Sequence, residues 1–227
     1  MAFRVFYPAD KPEEASRPGK LHMQSNAGLL RWLKVPFLYN LFQDVIGANA
    51  FRRKIIRNYA RARPGDKVID IGCGPAQLLQ SLPDVEYLGI DIDPGYIAFA
   101  RRTYGDKGTF VVGDTRSLRS DSRFKDADVV IAIAVLHHLD DEEATDCIRF
   151  AYDTLKTRGR LICHDPCWIP NQGAFSKCVM SYDRVRNIRT EQQYRQLAAK
   201  VFRNIHAWVN TKPMRIPYVT IVLECEK

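Results

Sequence analysis

From position 67 onward, short apolar runs alternate with longer stretches in which apolar residues recur every three or four positions. The runs near 67–71, 86–91, 109–112, 128–133 and 159–164 have the length and composition of buried strands. The stretches near 75–82, 94–104 and 141–156 have the period of helices. Asp93-Pro94 marks one helix start, with an acid at the cap and proline in the first turn. Alternation of this kind predicts an α/β fold: a doubly wound, mostly parallel sheet with helices on both faces. The end of the chain differs. Val201 to Val209 and Ile216 to Glu224 are strand-like runs separated by a Thr-Lys-Pro turn region, which predicts an antiparallel hairpin on the sheet edge.

Upstream, residues 1–24 are polar and carry Pro8, Pro12 and Pro18, the pattern of a loose arm. Residues 27–43 are crowded with Leu29, Trp32, Phe37, Tyr39 and Phe42, and predict one or two short helices split near Pro36. A helix at about 46–62 follows, stopped by Pro64-Gly65. The expected organisation is therefore an arm (1–24) and a single domain (25–227). Within that domain fall a helical cap (25–63), a core (64–165), a lid or substrate wall (166–196) and the hairpin (197–227). The lid is expected because 166–196 is too long for a plain strand-to-helix connection.

Composition adds three points. At 227 residues with 46% apolar content, the chain suits one domain with a sizeable core. There is no uncharged apolar run of about 18 residues and no secretory-type apolar start, and the six cysteines are scattered. Reduced thiols and a cytoplasmic location are expected. Cys163 and Cys167 flank His164 without a second ligand pair, so no metal site is expected. Much of the net charge of +8 lies in Phe51 to Arg63, along the helix at about 46–62. There Ala48, Phe51, Ile55, Tyr59 and Ala62 form an apolar stripe, with Arg53, Arg57 and Arg61 on another face. That face is either a solvated surface or a contact for an anionic substrate, an acidic partner or a membrane surface.

The densest chemistry lies at 68–74, Val-Ile-Asp-Ile-Gly-Cys-Gly. A strand runs into a glycine turn at Gly72 and Gly74, with Asp70 two residues before it. Asp91 ends the next apolar run, placed to accept hydrogen bonds from ribose hydroxyls. Gln77 stands where a dinucleotide fingerprint needs its third glycine. An acid at position 70 would repel a pyrophosphate but suits a ligand carrying an ammonium group. This D-x-G-x-G pattern resembles motif I of the class I S-adenosylmethionine-dependent methyltransferases, and the resemblance extends over about residues 60–227. It implies a seven-stranded methyltransferase fold that binds S-adenosylmethionine through Asp70, Gly72 and Gly74. It further implies Asp91 on the ribose, Ile92 against the adenine, Asp114 at the adenine amine with Thr115 beside it, and Ala134 passing its backbone near the donor.

The run Val135-Leu136-His137-His138-Leu139 resembles one common in the small-molecule branch of that family. His137 or His138 can take a proton from an acceptor hydroxyl, and Asp165, after the fifth strand, can orient either one. The alternatives are that one histidine caps the next helix while the other packs under it, and that Asp165 is a turn acid before Pro166. If His137 is the proton acceptor, His138 is expected to point into the helix packing. The nucleic-acid motifs D-P-P-Y and N-P-P-Y are missing after the fourth strand, so no nucleic-acid partner is expected. Asp183 to Thr190, Tyr194 and Arg215-Ile216-Pro217-Tyr218 resemble bacterial methyltransferases of polysaccharide and secondary-metabolite settings. The expected reaction is O-methylation of a small-molecule, sugar or lipid-linked acceptor. The aromatic cap suggests an apolar acceptor, and Arg184, Arg186 and Arg189 an acidic one. A donor-binding protein without turnover and an NAD-linked oxidoreductase are the competing readings.

Overall fold

The computed structural model describes residues 48–182, 187–211 and 217–227. The expected arm, the aromatic segment 27–43, Arg184, Arg186 and the Thr-Lys-Pro turn lie largely or wholly outside those residues. The described chain forms the expected α/β sheet. Its strands are β1 (Lys67–Ile71), β2 (Glu86–Asp91), β3 (Thr109–Val112), β4 (Ala127–Ile133), β5 (Leu155–Trp168), β6 (Arg189–Thr190), β7 (Asn204–Asn210) and β8 (Thr220–Glu226). The order across the sheet is β3-β2-β1-β4-β5-β8-β7, with the two-residue β6 pairing only with β5. β1 to β5 are parallel, while β8 runs antiparallel to both β5 and β7 as the hairpin.

Both faces of the central strands are buried, so their sequences read as continuous apolar runs. Alternate residues go to opposite faces. Val68, Val129, Ile131 and Ile162 join Ile55, Ile56 and Ala60 on one side. Ile69, Ile71, Val130, Ala132 and Leu161 pack on the other with Ile148, Tyr194 and Leu197. Fully burying one such side chain contributes roughly 1.5–3 kcal/mol.

The helices are α1 (Ala48–Ile55), α2 (Pro94–Tyr104), α3 (Asp141–Thr154), α4 (Ala174–Tyr182) and α5 (Glu191–Ala199). Asp93 caps α2 as expected, accepting from the N–H of Gly95 at 2.7 Å. α3 starts with a capping box in which Asp140 and Glu143 each accept the other's backbone N–H.

Three expectations are corrected. The helix foreseen at 75–82 is only a 3₁₀ turn, Gln77–Ser81, entered through Ala76 at φ 56°. α1 does not run on to 62 as one α-helix: it becomes a π-turn at Ile56–Ala60, ended by Arg61 at φ 47°. The segment 166–196 is not one loop. It holds the end of β5, α4, β6 and the start of α5, and Tyr194 of α5 is fully buried, its hydroxyl donating to the Pro166 carbonyl at 3.0 Å.

Candidate active site

The glycine turn after β1 folds as it does because two positions demand left-handed backbone. Gly72 has φ 67°, and a Cβ there would meet the Val135 side chain at 2.7 Å. Gly74 has φ 53°, and a Cβ there would project into open space, leaving a ligand room to approach the backbone. The turn is tied to the end of β2. The Gly74 N–H donates to Asp91 Oδ2 at 2.9 Å, and the Asp93 N–H donates to Asp91 Oδ1 at 2.8 Å. Each carboxylate oxygen keeps a second lone pair, so Asp91 can still receive ribose hydroxyls. Ile92, next in the chain, is 74% exposed, and Val112 at the end of β3 is 44% exposed. Two apolar side chains left open at the ends of adjacent strands make a surface for a planar base.

Asp70 is 1% exposed. Its Oδ2 accepts the Tyr87 hydroxyl at 2.6 Å, and its Oδ1 has no partner. Burial pushes its carboxyl up to about 7, against the opposing pull of the Tyr87 hydrogen bond. Asp114 is exposed and organises its own loop, Oδ1 accepting the N–H groups of Arg116 and Ser117 at 3.0 and 2.7 Å. Those bonds, chiefly from Ser117, hold its carboxyl below the usual range. Thr115 is half-buried beside it.

At the end of β4, Ala134 takes φ 60°, a strained conformation for a residue with a Cβ. Its N–H donates to the His164 carbonyl at 2.7 Å, which fastens the turn to β5. The chain then makes a 3₁₀ turn, Leu136–His138. His137 is buried, and its Nδ1 lies 2.7 Å from Asp165 Oδ1, which also accepts the His137 backbone N–H at 3.1 Å. Burial raises the Asp165 carboxyl, and the bond to His137 opposes the rise. With Asp165 ionised, Nδ1 carries the imidazole proton and Nε2 keeps its lone pair. His138 does not point into the helix packing. It is exposed, its ring 4.0 Å from that of His137 between centroids, and the cap of α3 is Asp140.

Arg189 is also corrected. Instead of offering charge to an acidic acceptor, it is 5% exposed and grips the same turn. It donates to the carbonyls of Leu136 and Leu139 at 2.8 Å each, and to Asp141 Oδ1 at 2.8 Å.

Two residues escaped the sequence reading. His164 is buried beneath Phe51 of α1, ring centroids 5.3 Å apart, and neither ring nitrogen has a hydrogen-bond partner among the described residues. Burial depresses its imidazole to about 3 and keeps it neutral. The Thr220 hydroxyl is likewise buried and unpartnered. His164 pairs with Val222 and Pro166 with Thr220, so the two orphans share one face of β5 and β8, a single step apart. A clue was available: Ile162 and His164 sit two apart in a strand, so they share the buried α1 side. With Asp70 Oδ1 and Asp165 Oδ2, these atoms make up all the unpartnered buried side-chain polar atoms among the described residues. All four residues lie toward the carboxyl ends of β1 and β5 or on the adjoining start of β8. That is where a doubly wound sheet receives ligands, and a ligand there would complete what the protein leaves unpaired.

The open backbone at Gly74, the spare Asp70 oxygen and the exposed Ile92 fit a nucleoside bearing an ammonium group. The five-residue 3₁₀ turn after the glycines offers no long helix N-terminus for a pyrophosphate.

Residues 68–159, less than half of the chain, match the family described as a methyltransferase domain. No curated protein sequence matches the chain. Among solved structures, a SAM-dependent methyltransferase from Archaeoglobus fulgidus is similar with a TM-score of 0.66 and 17% identity, over 83% of this chain and 99% of that one. A SAM-dependent methyltransferase from Methanosarcina mazei gives 0.60 and 21%, over 76% and 96%. Geranyl diphosphate C-methyltransferase from Streptomyces coelicolor, solved with S-adenosyl-L-homocysteine, gives 0.61 and 14%, over 79% and 80%. At these identities the structural likenesses establish the fold, and the family match adds the activity. Motif, sheet order and the match over residues 68–159 together support an enzyme that takes its methyl group from S-adenosylmethionine.

Proposed function

We propose that the enzyme methylates an oxygen of a small-molecule, sugar or lipid-linked acceptor in the cytoplasm. The observation that carries the reading is the His137–Asp165 pair, 2.7 Å apart and buried at the ligand end of β4 and β5. A hydroxyl must lose its proton as it is methylated, and a neutral imidazole held by a carboxylate is suited to accept it. Asp165 fixes the tautomer and stabilises the imidazolium that forms. Arg189 holds the turn that carries His137. His164 and Thr220 are neutral hydrogen-bond partners for the acceptor's polar group, on the α1 side of the same strand.

Asp70 would receive the donor's ammonium group, Asp91 its ribose, Ile92 and Asp114 its adenine, and the backbone at Ala134 would pass beside its reactive end. The bound donor supplies a methyl group on a sulfonium whose leaving group is a neutral thioether. The remaining task of the chain is alignment and exclusion of water, and alignment alone contributes several kcal/mol. A small-molecule acceptor also accords with the geranyl diphosphate methyltransferase among the similar structures.

The test is methyl transfer from radiolabelled S-adenosylmethionine to a panel of phenols, sugars and lipid-linked alcohols. Labelled ether products that vanish in His137→Ala support the reading. Transfer only to amines or carbon would overturn it.

A further inference from the structure

A second concave site lies at the other end of the sheet. A groove of about 410 Å³ separates α1 with its π-turn from the Gln77–Pro83 segment. Arg53, Arg57 and Arg61 line one wall; Gln80, Ser81 and Pro83 line the other. Arg61 precedes β1 and Pro83 precedes β2, so the groove sits at the amino ends of these strands. The glycine turn, Ile92 and Ala134 are at the carboxyl ends. A ligand in the groove is out of reach of the methyl group.

The three arginines reach one wall because of the π-turn. In an α-helix, four residues overshoot a full turn by about 40°, so cations at i, i+4 and i+8 drift around the axis. A π-turn takes an extra residue per turn and reverses that drift. The π-turn at Ile56–Ala60 falls between Arg53 and Arg61, and its end is fixed by the Arg61 N–H donating to the Ile56 carbonyl at 3.2 Å. Rare helical geometry has thus gathered like charges that repel one another at this spacing. Arg61 pairs with Glu224, but Arg53 and Arg57 have no carboxylate partner among the described residues. A solvated face has no need of such convergence in a hollow.

We propose that this groove binds a phosphate-bearing ligand at a site separate from methyl transfer. The guanidinium fork matches phosphate oxygens two at a time, and the Ser81 hydroxyl adds a neutral donor on the facing wall. The phosphate belongs either to a free metabolite or to a lipid headgroup.

The test uses inorganic pyrophosphate and, separately, vesicles of phosphatidylcholine with phosphatidylglycerol. The parent protein, Arg53→Gln/Arg57→Gln and the equally charged control Arg149→Gln/Arg203→Gln are compared, all four sites being exposed. S-adenosylhomocysteine affinity, unchanged in every variant, verifies the fold and the independence of the two sites. Affinity for pyrophosphate, reduced about tenfold or more in the groove pair and retained in the control, supports a free phosphate ligand. The same pattern with vesicles alone supports a headgroup. Binding of neither probe by the parent, or equal loss in both double variants, overturns the proposal.

Discussion

Gly74 and Asp91 are joined directly: the glycine N–H donates to the carboxylate across 2.9 Å, linking the turn after β1 to the end of β2. The acid that would hold the ribose therefore also shapes the loop that would cover it. Asp91→Ala removes both functions. S-adenosylhomocysteine affinity should fall by roughly 10- to 150-fold, from bonds to a charged group of about 1.5–3 kcal/mol. Titration calorimetry measures it, and an unchanged affinity would remove Asp91 from the donor site.

Asp70 should make both folding and donor binding depend on pH. Its folded carboxyl titrates near 7, above the unfolded value of 3.8. Between these values the folded state holds a proton that the unfolded state has released, so this stabilisation declines as pH rises from about 4 to 7. A ligand ammonium favours the ionised form, so S-adenosylhomocysteine binding near pH 7 should release protons. Calorimetry in two buffers of different ionisation enthalpy should detect that release in the parent and not in Asp70→Asn. Equal release in both proteins would place the titrating group elsewhere.

His137 and His138 should separate cleanly. With an acceptor in hand, His137→Ala should lower kcat by roughly 100- to 10,000-fold, while leaving S-adenosylhomocysteine affinity near that of the parent. Asp165→Asn should impair kcat in the same direction. His138→Ala should retain most turnover, because Asp165 Oδ1 is held by the His137 ring and the His138 ring is exposed. Full activity in His137→Ala with loss in His138→Ala would exchange the two assignments.

His164 should set function against stability. Two unpartnered ring nitrogens each cost about 1–3 kcal/mol when buried, so His164→Leu should raise Tm. Its imidazole is depressed to about 3 from 6.5, and within that window the unfolded chain binds the extra proton. Stability is therefore lost as pH falls from about 6.5 toward 3, and the leucine variant should show a shallower acid limb. The acceptor KM should rise in the same variant. A lower Tm together with an unchanged KM would show that the ring is merely packing.

The strands were legible because both faces of the central sheet are buried, which leaves uninterrupted apolar runs such as Val129–Ile133. The donor-site residues were legible because turn chemistry and spacing are local: Gly72 and Gly74 need left-handed backbone whatever surrounds them. His164 was not, because a histidine in a strand shows neither its burial nor its lack of partners until α1 packs over it. Arg189 was misread for a related reason. Its charge looked available, yet two of its acceptors are backbone carbonyls about 50 residues away, which no side-chain pattern reveals. The π-turn was hidden as well, since Ile56–Ala60 carries no residue that forbids an α-helix.

His164 and Asp165 are neighbours in β5 and emerge on opposite faces of the sheet. A slip of one residue would invert their faces, turning the carboxylate toward α1 and the imidazole toward the side of His137. Seven consecutive pairs with β8, from Arg160–Glu226 to Pro166–Thr220, prevent the slip. The C-terminal strand thus works as a ruler: it sets the phase in which two adjacent letters of the sequence are delivered to different rooms of the same enzyme.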